Sequence, residues 1–169
     1  MFRSFWHRRA VNKSLSAAVE EKRLDRPFTI KHVRVLLDAS LGVEESFFSN
    51  LAKALNIPPV NVYTFVFPAK NEVEKQYEHF FNPEEVSFFG KFQGELALMC
   101  AKEVDLQIHF FATENTPMSW VASKAKNKIS VGFSGADHRI NDLVFDFAPT
   151  STDTFLKEIV KYLTILEKL

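Results

Sequence analysis

The sequence predicts an α/β protein built as a three-layer, doubly wound and mostly parallel sheet of about five strands. Short β-rich apolar segments alternate with segments whose apolar residues recur at helical spacing. Residues Val104 to Asp142 read as strand, loop, helix, strand and loop in direct succession. A strand–helix–strand path of that length implies two parallel strands joined by a right-handed crossover. We expect the strand order 3-2-1-4-5, with an antiparallel edge strand beside the fifth strand and a C-terminal helix.

The first half of the chain predicts three strands and one helix. Residues 31–39 (KHVRVLLDA) form the first strand, because four aliphatic residues fill its centre. Glu44 and Glu45 begin a helix whose apolar stripe ends before Asn56 and a Pro pair. Residues 60–67 (VNVYTFVF) are the second strand, and residues 84–89 (EEVSFF) predict a short third strand.

The second half predicts three helices and three strands. Residues 94–103 form a helix that leads directly into a strand over residues 104–111. Thr116-Pro117 has the pattern of an N-cap and a first helical residue, and the next strand covers residues 129–133. Residues 143–147 look like an edge strand, and the short connection before them favours an antiparallel arrangement. The final helix begins near Thr150 to Asp153 and buries an apolar stripe formed by Phe155, Leu156, Ile159, Val160, Leu163 and Leu166.

Composition limits the classes of function. The 169 residues predict one domain, residues 28–169, preceded by a basic and partly helical arm, residues 1–27. The net charge of +0 gives no overall attraction to nucleic acid or membrane. The single cysteine, Cys100, excludes an internal disulfide and predicts a buried structural thiol. Scattered histidines predict no metal, and no cofactor is expected. The lack of a signal-peptide pattern and of a transmembrane-length apolar run predicts a cytoplasmic protein.

Three interpretations of the basic arm remain open. It docks on the domain as a helix, or it forms a frayed basic arm, or it lies on a membrane surface. The third interpretation inserts the aromatic residues and turns the arginines toward lipid head groups, which would give weak membrane-surface contact through residues 1–26. The large apolar residues available for docking are Phe2, Phe5, Trp6 and Leu15.

In doubly wound sheets, ligands bind beyond the carboxyl ends of the strands. This rule selects the loops at Asp38–Gly42, 68–71, 112–116 and 134–142. Their candidate ligand-binding residues are Asp38, Ser40, Thr113, Asn115, Ser134, Asp137, Arg139, Asn141 and Asp142, with His138 among them in the last loop. Arg139 has the planar fork that suits an anion. The alternative is structural: Asp38 fixes its own loop, and residues 137–142 form a hydrogen-bonded turn into the edge strand.

Two segments carry a resemblance to a known family. The segment ISVGFSGADHRINDLVF, which begins at Ile129, and KYLTILEKL at Lys161–Leu169 resemble an uncharacterised family of small proteins from flavobacteria and their relatives. The resemblance implies a cytoplasmic bacterial protein and transfers no catalytic residue. Val104-Asp105 and Val131-Gly132-Phe133 are also similar to the N-terminal half of heptosyltransferase-type glycosyltransferases, which implies the fold and not the activity.

The function that these observations favour is a non-catalytic cytoplasmic α/β domain that acts through protein–protein interaction or self-association. No nucleophile elbow, metal-ligand pair or Gly-rich phosphate loop is present in the sequence. One alternative is a binder of an anionic or nucleotide-like small molecule, or an enzyme, at the carboxyl-edge loops. Another is membrane association through the arm. No nucleic-acid partner is expected.

Overall fold

The computed structural model describes Lys13 and residues 27–68, 79–87, 90–111, 116–136 and 138–169. The predictions for the N-terminal arm therefore lie almost wholly outside the described residues. The same holds for the polar stretch at residues 69–78 and for the candidate residues Thr113, Asn115 and Asp137.

The described residues form a five-stranded, all-parallel sheet in the order β2-β1-β3-β4-β5, which confirms the α/β fold class. The strands are β1 (Val33–Asp38), β2 (Val62–Phe67), β3 (Val104–Phe110), β4 (Asn127–Phe133) and β5 (Leu143–Phe145). The helices are α1 (Glu45–Ala54), α2 (Gly94–Ala101), α3 (Thr116–Lys124) and α4 (Thr152–Ile165). None of the helices in this part of the chain combines the length and the apolar character needed to cross a membrane.

The prediction of an antiparallel edge strand was wrong, because β5 runs parallel to β4. Leu143 lies opposite Val131, only two residues back from the end of β4. The chain therefore has to return by less than about 7 Å along the strand direction. A short loop with one 3-10 turn, His138–Ile140, covers that distance. A full crossover helix is needed only when the returning strand is long.

The predicted third strand at residues 84–89 is also absent where the structure describes that segment. Pro83–Glu85 form a 3-10 turn, which begins where the Asn82 side chain accepts a hydrogen bond from Glu84 N at 2.9 Å. Val86 then makes one antiparallel bridge with Phe92. The place beside β2 holds a single parallel bridge between Val66 and Phe80 instead. The outer side of β2 is therefore paired at only one point within the described residues.

Helices cover both faces of the sheet. On one face, α1 and α4 enclose an aromatic cluster centred on the fully buried Phe155. Its ring lies 5.3–6.1 Å from four other rings, those of Phe47, Phe110, Phe133 and Phe145. The opposite face packs against α2 and α3 and includes Cys100. Burial raises the pKa of this thiol to about 12, which confirms the prediction of a buried structural cysteine.

Asp105 ties the start of β3 to β1 and β4. Its carboxylate accepts hydrogen bonds from Lys31 N at 2.9 Å, His32 N at 3.0 Å and Lys128 Nζ at 2.6 Å. Burial alone would raise the pKa of this carboxyl, but the hydrogen bonds, the Lys128 bond foremost, outweigh burial and lower the pKa. The ionised form is therefore the one that stabilises the fold.

Replacing Asp105 with asparagine is expected to lower the free energy of unfolding by about 1 kcal/mol at neutral pH. The pKa is lower in the folded state than in the unfolded state, so the contribution is complete above the ordinary Asp value. It disappears as the pH falls below about 4 and through the folded-state pKa. Urea unfolding of both proteins between pH 7 and pH 3 measures this. A difference that does not shrink on acidification would contradict it.

Candidate binding site

The predicted site residue Asp38 fixes its own turn at the end of β1. Its Oδ1 accepts hydrogen bonds from Ser40 N at 2.9 Å and from Ser40 Oγ at 2.6 Å. The turn closes at Gly42, whose φ of 59° is in the left-handed region that favours glycine. These contacts correspond to the loop-fixing role that was the alternative interpretation of Asp38.

The predicted loop at residues 134–142 is tied to β4 by its own polar side chains. Asp142 Oδ2 accepts from Ser130 N at 2.7 Å and from Ser130 Oγ at 2.8 Å. Ser134 Oγ donates to Asp146 Oδ1 at 2.8 Å. Arg139 is half-buried and takes part in an interaction within the chain. Ligand binding by this loop stays a prediction, but the contacts match a hydrogen-bonded turn.

A polar cavity of about 380 Å³ lies at the carboxyl edge of β1, where the fold rule places ligands. It is bounded by the 41–44 turn and by the first turns of α1 and α4. Its hydrogen-bonding side chains include Ser46, Asn50 and Thr152, and its carboxylates are Glu44 and Asp153. The two carboxylates oppose the attraction of the helix N-termini for anions, so an anionic ligand is disfavoured there.

A chain of buried polar side chains crosses the sheet on the α2–α3 face. Arg34 Nη1 donates to Gln107 Oε1 at 2.9 Å, and Gln107 Nε2 lies 2.8 Å from His109 Nε2. His109 Nδ1 in turn lies 2.6 Å from Asn141 Oδ1. Because Gln107 Oε1 accepts from Arg34, its Nε2 must donate to the imidazole. His109 is thus held neutral with its proton on Nδ1, which donates to Asn141.

Arg34 is only 2% exposed and is held mainly by backbone carbonyls. Its Nη2 donates to the carbonyl oxygens of Met99, at 2.7 Å, and Lys102, both at the C-terminal end of α2. Its Nη1 also reaches the Lys126 carbonyl at 3.4 Å. The guanidinium therefore caps the negative end of the α2 dipole. Burial nevertheless lowers the pKa of Arg34 to about 10, with the Cys100 side chain acting in the opposite direction.

A second cavity, of about 280 Å³, lies beside the outer edge of β2, and we call it the β2-edge groove. Its walls come from β2, α2, the segment around His79 and Val104 at the start of β3, with Arg34 at the buried side. Leu98, on α2, belongs to this lining and is 74% exposed. An apolar side chain on the wall of a concave site offers apolar surface that a ligand could cover.

Within the described residues, the outer side of the β2 backbone is largely unpaired along this groove. Val66 N donates outward to His79 O, and Val66 O accepts from Phe81 N. Because alternate residues of a strand direct their backbone groups to the same side, Val62 and Thr64 also point outward. Val62 N–H donates to the Pro59 carbonyl, whereas among the described residues no backbone group pairs with Thr64 on that side. The strand VYTFVF also contains no charged residue and no proline to protect the edge.

The residues of the β2-edge groove were not among the sequence-predicted candidates. The rule used for prediction selects carboxyl ends of strands, whereas the groove is formed by the side of an edge strand. One signal was present: Arg34 and Gln107 are polar residues in the middle of predicted strands, and such positions need partners when buried. The groove itself required knowledge of which strand ends the sheet.

In the comparison with protein families, the model of a family of unknown function, DUF6913, matches residues 3–166. Because the match covers nearly the whole chain, the chain belongs to this family. The match confirms the sequence-based resemblance to an uncharacterised family. No curated protein and no solved structure matches the chain.

Proposed function

We propose that this protein is a non-catalytic binding module that takes up an extended segment of a partner protein along β2. The open edge of β2 beside the apolar groove is the observation that carries the proposal. In strand addition, main-chain hydrogen bonds supply affinity and pockets for alternate side chains supply specificity. The β2-edge groove offers both elements side by side.

The bound segment would continue the sheet as a sixth strand. Thr64 N–H and C=O would exchange hydrogen bonds with the segment, and the Val62 carbonyl would accept one more, since Val62 N–H already donates to Pro59. A side chain of the segment that points toward α2 would enter the groove and cover Leu98. The volume of about 280 Å³ accommodates one large aliphatic or aromatic side chain.

The proposal includes a bacterial cytoplasmic setting, as in the family that the sequence resembles. Cys100 is buried as a free thiol, which is compatible with a reducing compartment. The similarity to heptosyltransferase-type enzymes stays a prediction from the sequence and contributes nothing to the proposed activity.

Replacing Thr64 with proline is expected to weaken peptide binding at least about tenfold, because it removes the outward N–H and places a ring against the incoming strand. Thr64 N–H does not point toward β1, so the ladder with β1 remains. The measurement begins with selection from a phage-displayed library of random 12-residue peptides on the full chain. Fluorescence anisotropy of synthetic copies then gives Kd values for wild type and variant.

The matched control is Val144→Pro, which makes the same change on the other edge strand, β5. It is expected to leave peptide affinity within about twofold of wild type, and thermal unfolding verifies that both variants fold. NMR amide exchange gives an independent check. The Thr64 amide should exchange rapidly in the free protein and slow when a peptide binds. A protected Thr64 amide in the free protein, or equal binding by Thr64→Pro, would overturn the proposal.

A further inference from the structure

The charges that line the β2-edge groove are unbalanced. Arg34 and Lys102 contribute two cations, and Glu95 is the carboxylate among the lining residues. Glu95 is already engaged, since its Oε1 contacts His79 Nδ1. The groove therefore presents positive potential to whatever enters it.

Arg34 has no carboxylate partner within salt-bridge distance among the described residues. Neutral acceptors hold its guanidinium: three backbone carbonyls and the Gln107 amide oxygen. These dipoles offset its charge only in part. Since the groove is mostly apolar, the field of this buried cation is weakly screened on the groove side.

Lys102 brings a second cation directly over the open strand. Its Nζ lies 3.8 Å from the centroid of the Tyr63 ring, next to Thr64 in β2. Lys102 is exposed, so its ammonium is accessible from solvent. A partner strand paired with Thr64 would pass close to this ammonium.

On the basis of the proposed function, we infer that the partner segment is acidic. The geometry points to an extended stretch that places an Asp or Glu carboxylate against Lys102 Nζ and an adjacent apolar side chain in the groove. A carboxylate held there would form a charge-assisted hydrogen bond close to the Arg34 guanidinium.

The same charges argue against a second copy of this chain as the occupant. A two-fold pairing of β2 with itself would bring both copies of Arg34 and Lys102 to one interface. Each copy would also bring Glu95, but that carboxylate already contacts His79, and the β2 sequence, VYTFVF, contains no other. Like charges brought together in an interface disfavour that partner. A foreign acidic strand avoids this repulsion.

The composition of the selected peptides tests the inference. Peptides recovered on wild type, and dependent on Thr64, should be enriched in Asp and Glu next to an apolar residue. The same library selected on Lys102→Glu should lose this enrichment and gain Lys and Arg. For one acidic peptide, Lys102→Met and a Glu→Gln change in the peptide should each raise Kd about fivefold or more. Raising the salt concentration should weaken the wild-type complex.

Lys161→Met is the matched control, because it removes an exposed lysine from α4, which covers the opposite face of the sheet. It should leave Kd within about twofold of wild type. The acidic partner is overturned if the Thr64-dependent peptides are not enriched in acidic residues, or if replacing Lys102 does not change their affinity. Either result would leave the proposed binding module unaffected. A failure of Thr64 dependence would overturn the proposed function itself. Dimerisation through β2, lost in Thr64→Pro, would identify a second copy as the occupant and overturn the inference.

Discussion

Replacing Arg34 with methionine is expected to lower the free energy of unfolding by about 3–5 kcal/mol. Methionine keeps much of the side-chain volume and removes the charge and the donors. The carbonyls of Met99, Lys102 and Lys126 and the amide oxygen of Gln107 then lose a donor. Urea unfolding analysed by linear extrapolation gives the change.

Two opposing effects decide the size of this result. Removing a buried charge recovers its desolvation cost, which is several kcal/mol for one ion and is the cause that lowers the pKa of Arg34 to about 10. Hydrogen bonds to a charged group contribute about 1.5–3 kcal/mol each. With four of them in the described structure, the loss exceeds the recovery even after the α2 end relaxes. If the hydrogen bonds to Arg34 contributed less than its desolvation costs, Arg34→Met would raise the free energy of unfolding.

Lys102→Met provides the control for the Arg34 variant, because both cations line the same groove and only one is buried. The exposed lysine is expected to change stability by less than about 0.5 kcal/mol. If Arg34→Met also changes stability by less than about 1 kcal/mol, the guanidinium does not hold the end of α2. The contrast separates the role of Arg34 in stability from the charge of the groove.

The sequence was sufficient for the fold class because the central strands carry apolar residues at every second position or more, and helix-forming segments separate them. The sequence was insufficient to predict strand direction and pairing at the two edges of the sheet. The direction of β5 depends on how far the chain returns along β4, and Leu143 opposite Val131 requires only a short return. At the β2 edge of the sheet, Phe80 lies beside β2 through a single bridge, and no local sequence pattern predicts that bridge.

The site was harder to predict than the fold for a related reason. Asp38 and Asp142 are polar residues in loops, and the sequence does not tell whether such a residue faces a ligand or its own backbone. In the structure, Asp38 accepts a hydrogen bond from Ser40, and Asp142 accepts one from Ser130. The β2-edge groove depends instead on which strand ends the sheet, and on the charges of Arg34 and Lys102 converging there. Both are properties of tertiary structure.

Replacing Gly132 with alanine is expected to lower the free energy of unfolding by about 2–4 kcal/mol. A Cβ at this position would lie 2.4 Å from Asn141 Oδ1 and 2.7 Å from Asn141 Cγ and Nδ2. Such distances force the Asn141 amide to move. Because the Asn141 amide oxygen accepts a hydrogen bond from His109 Nδ1, the movement leaves a buried donor without this acceptor. Calorimetry or urea unfolding measures the loss.

A double-mutant cycle identifies the cause. Asn141→Ala removes the side chain that the new Cβ would contact, so alanine at position 132 should then cost much less. The two changes together should be less destabilising than the sum of the single changes by about 1–2 kcal/mol. Additive effects would mean that the Asn141 amide does not lie over Gly132.

The Asn141 variant also tests whether the loop at residues 134–142 contributes to peptide binding at the β2-edge groove. Asn141 lies beside β4, whereas the proposed partner strand would pair with β2 at the other edge of the sheet. Asn141→Ala should therefore leave the affinity for Thr64-dependent peptides within about twofold of wild type, despite its loss of stability. A large loss of peptide affinity in a folded Asn141 variant would mean that the loop at residues 134–142 belongs to the functional site. An unchanged affinity would assign its polar residues to holding β5 in place.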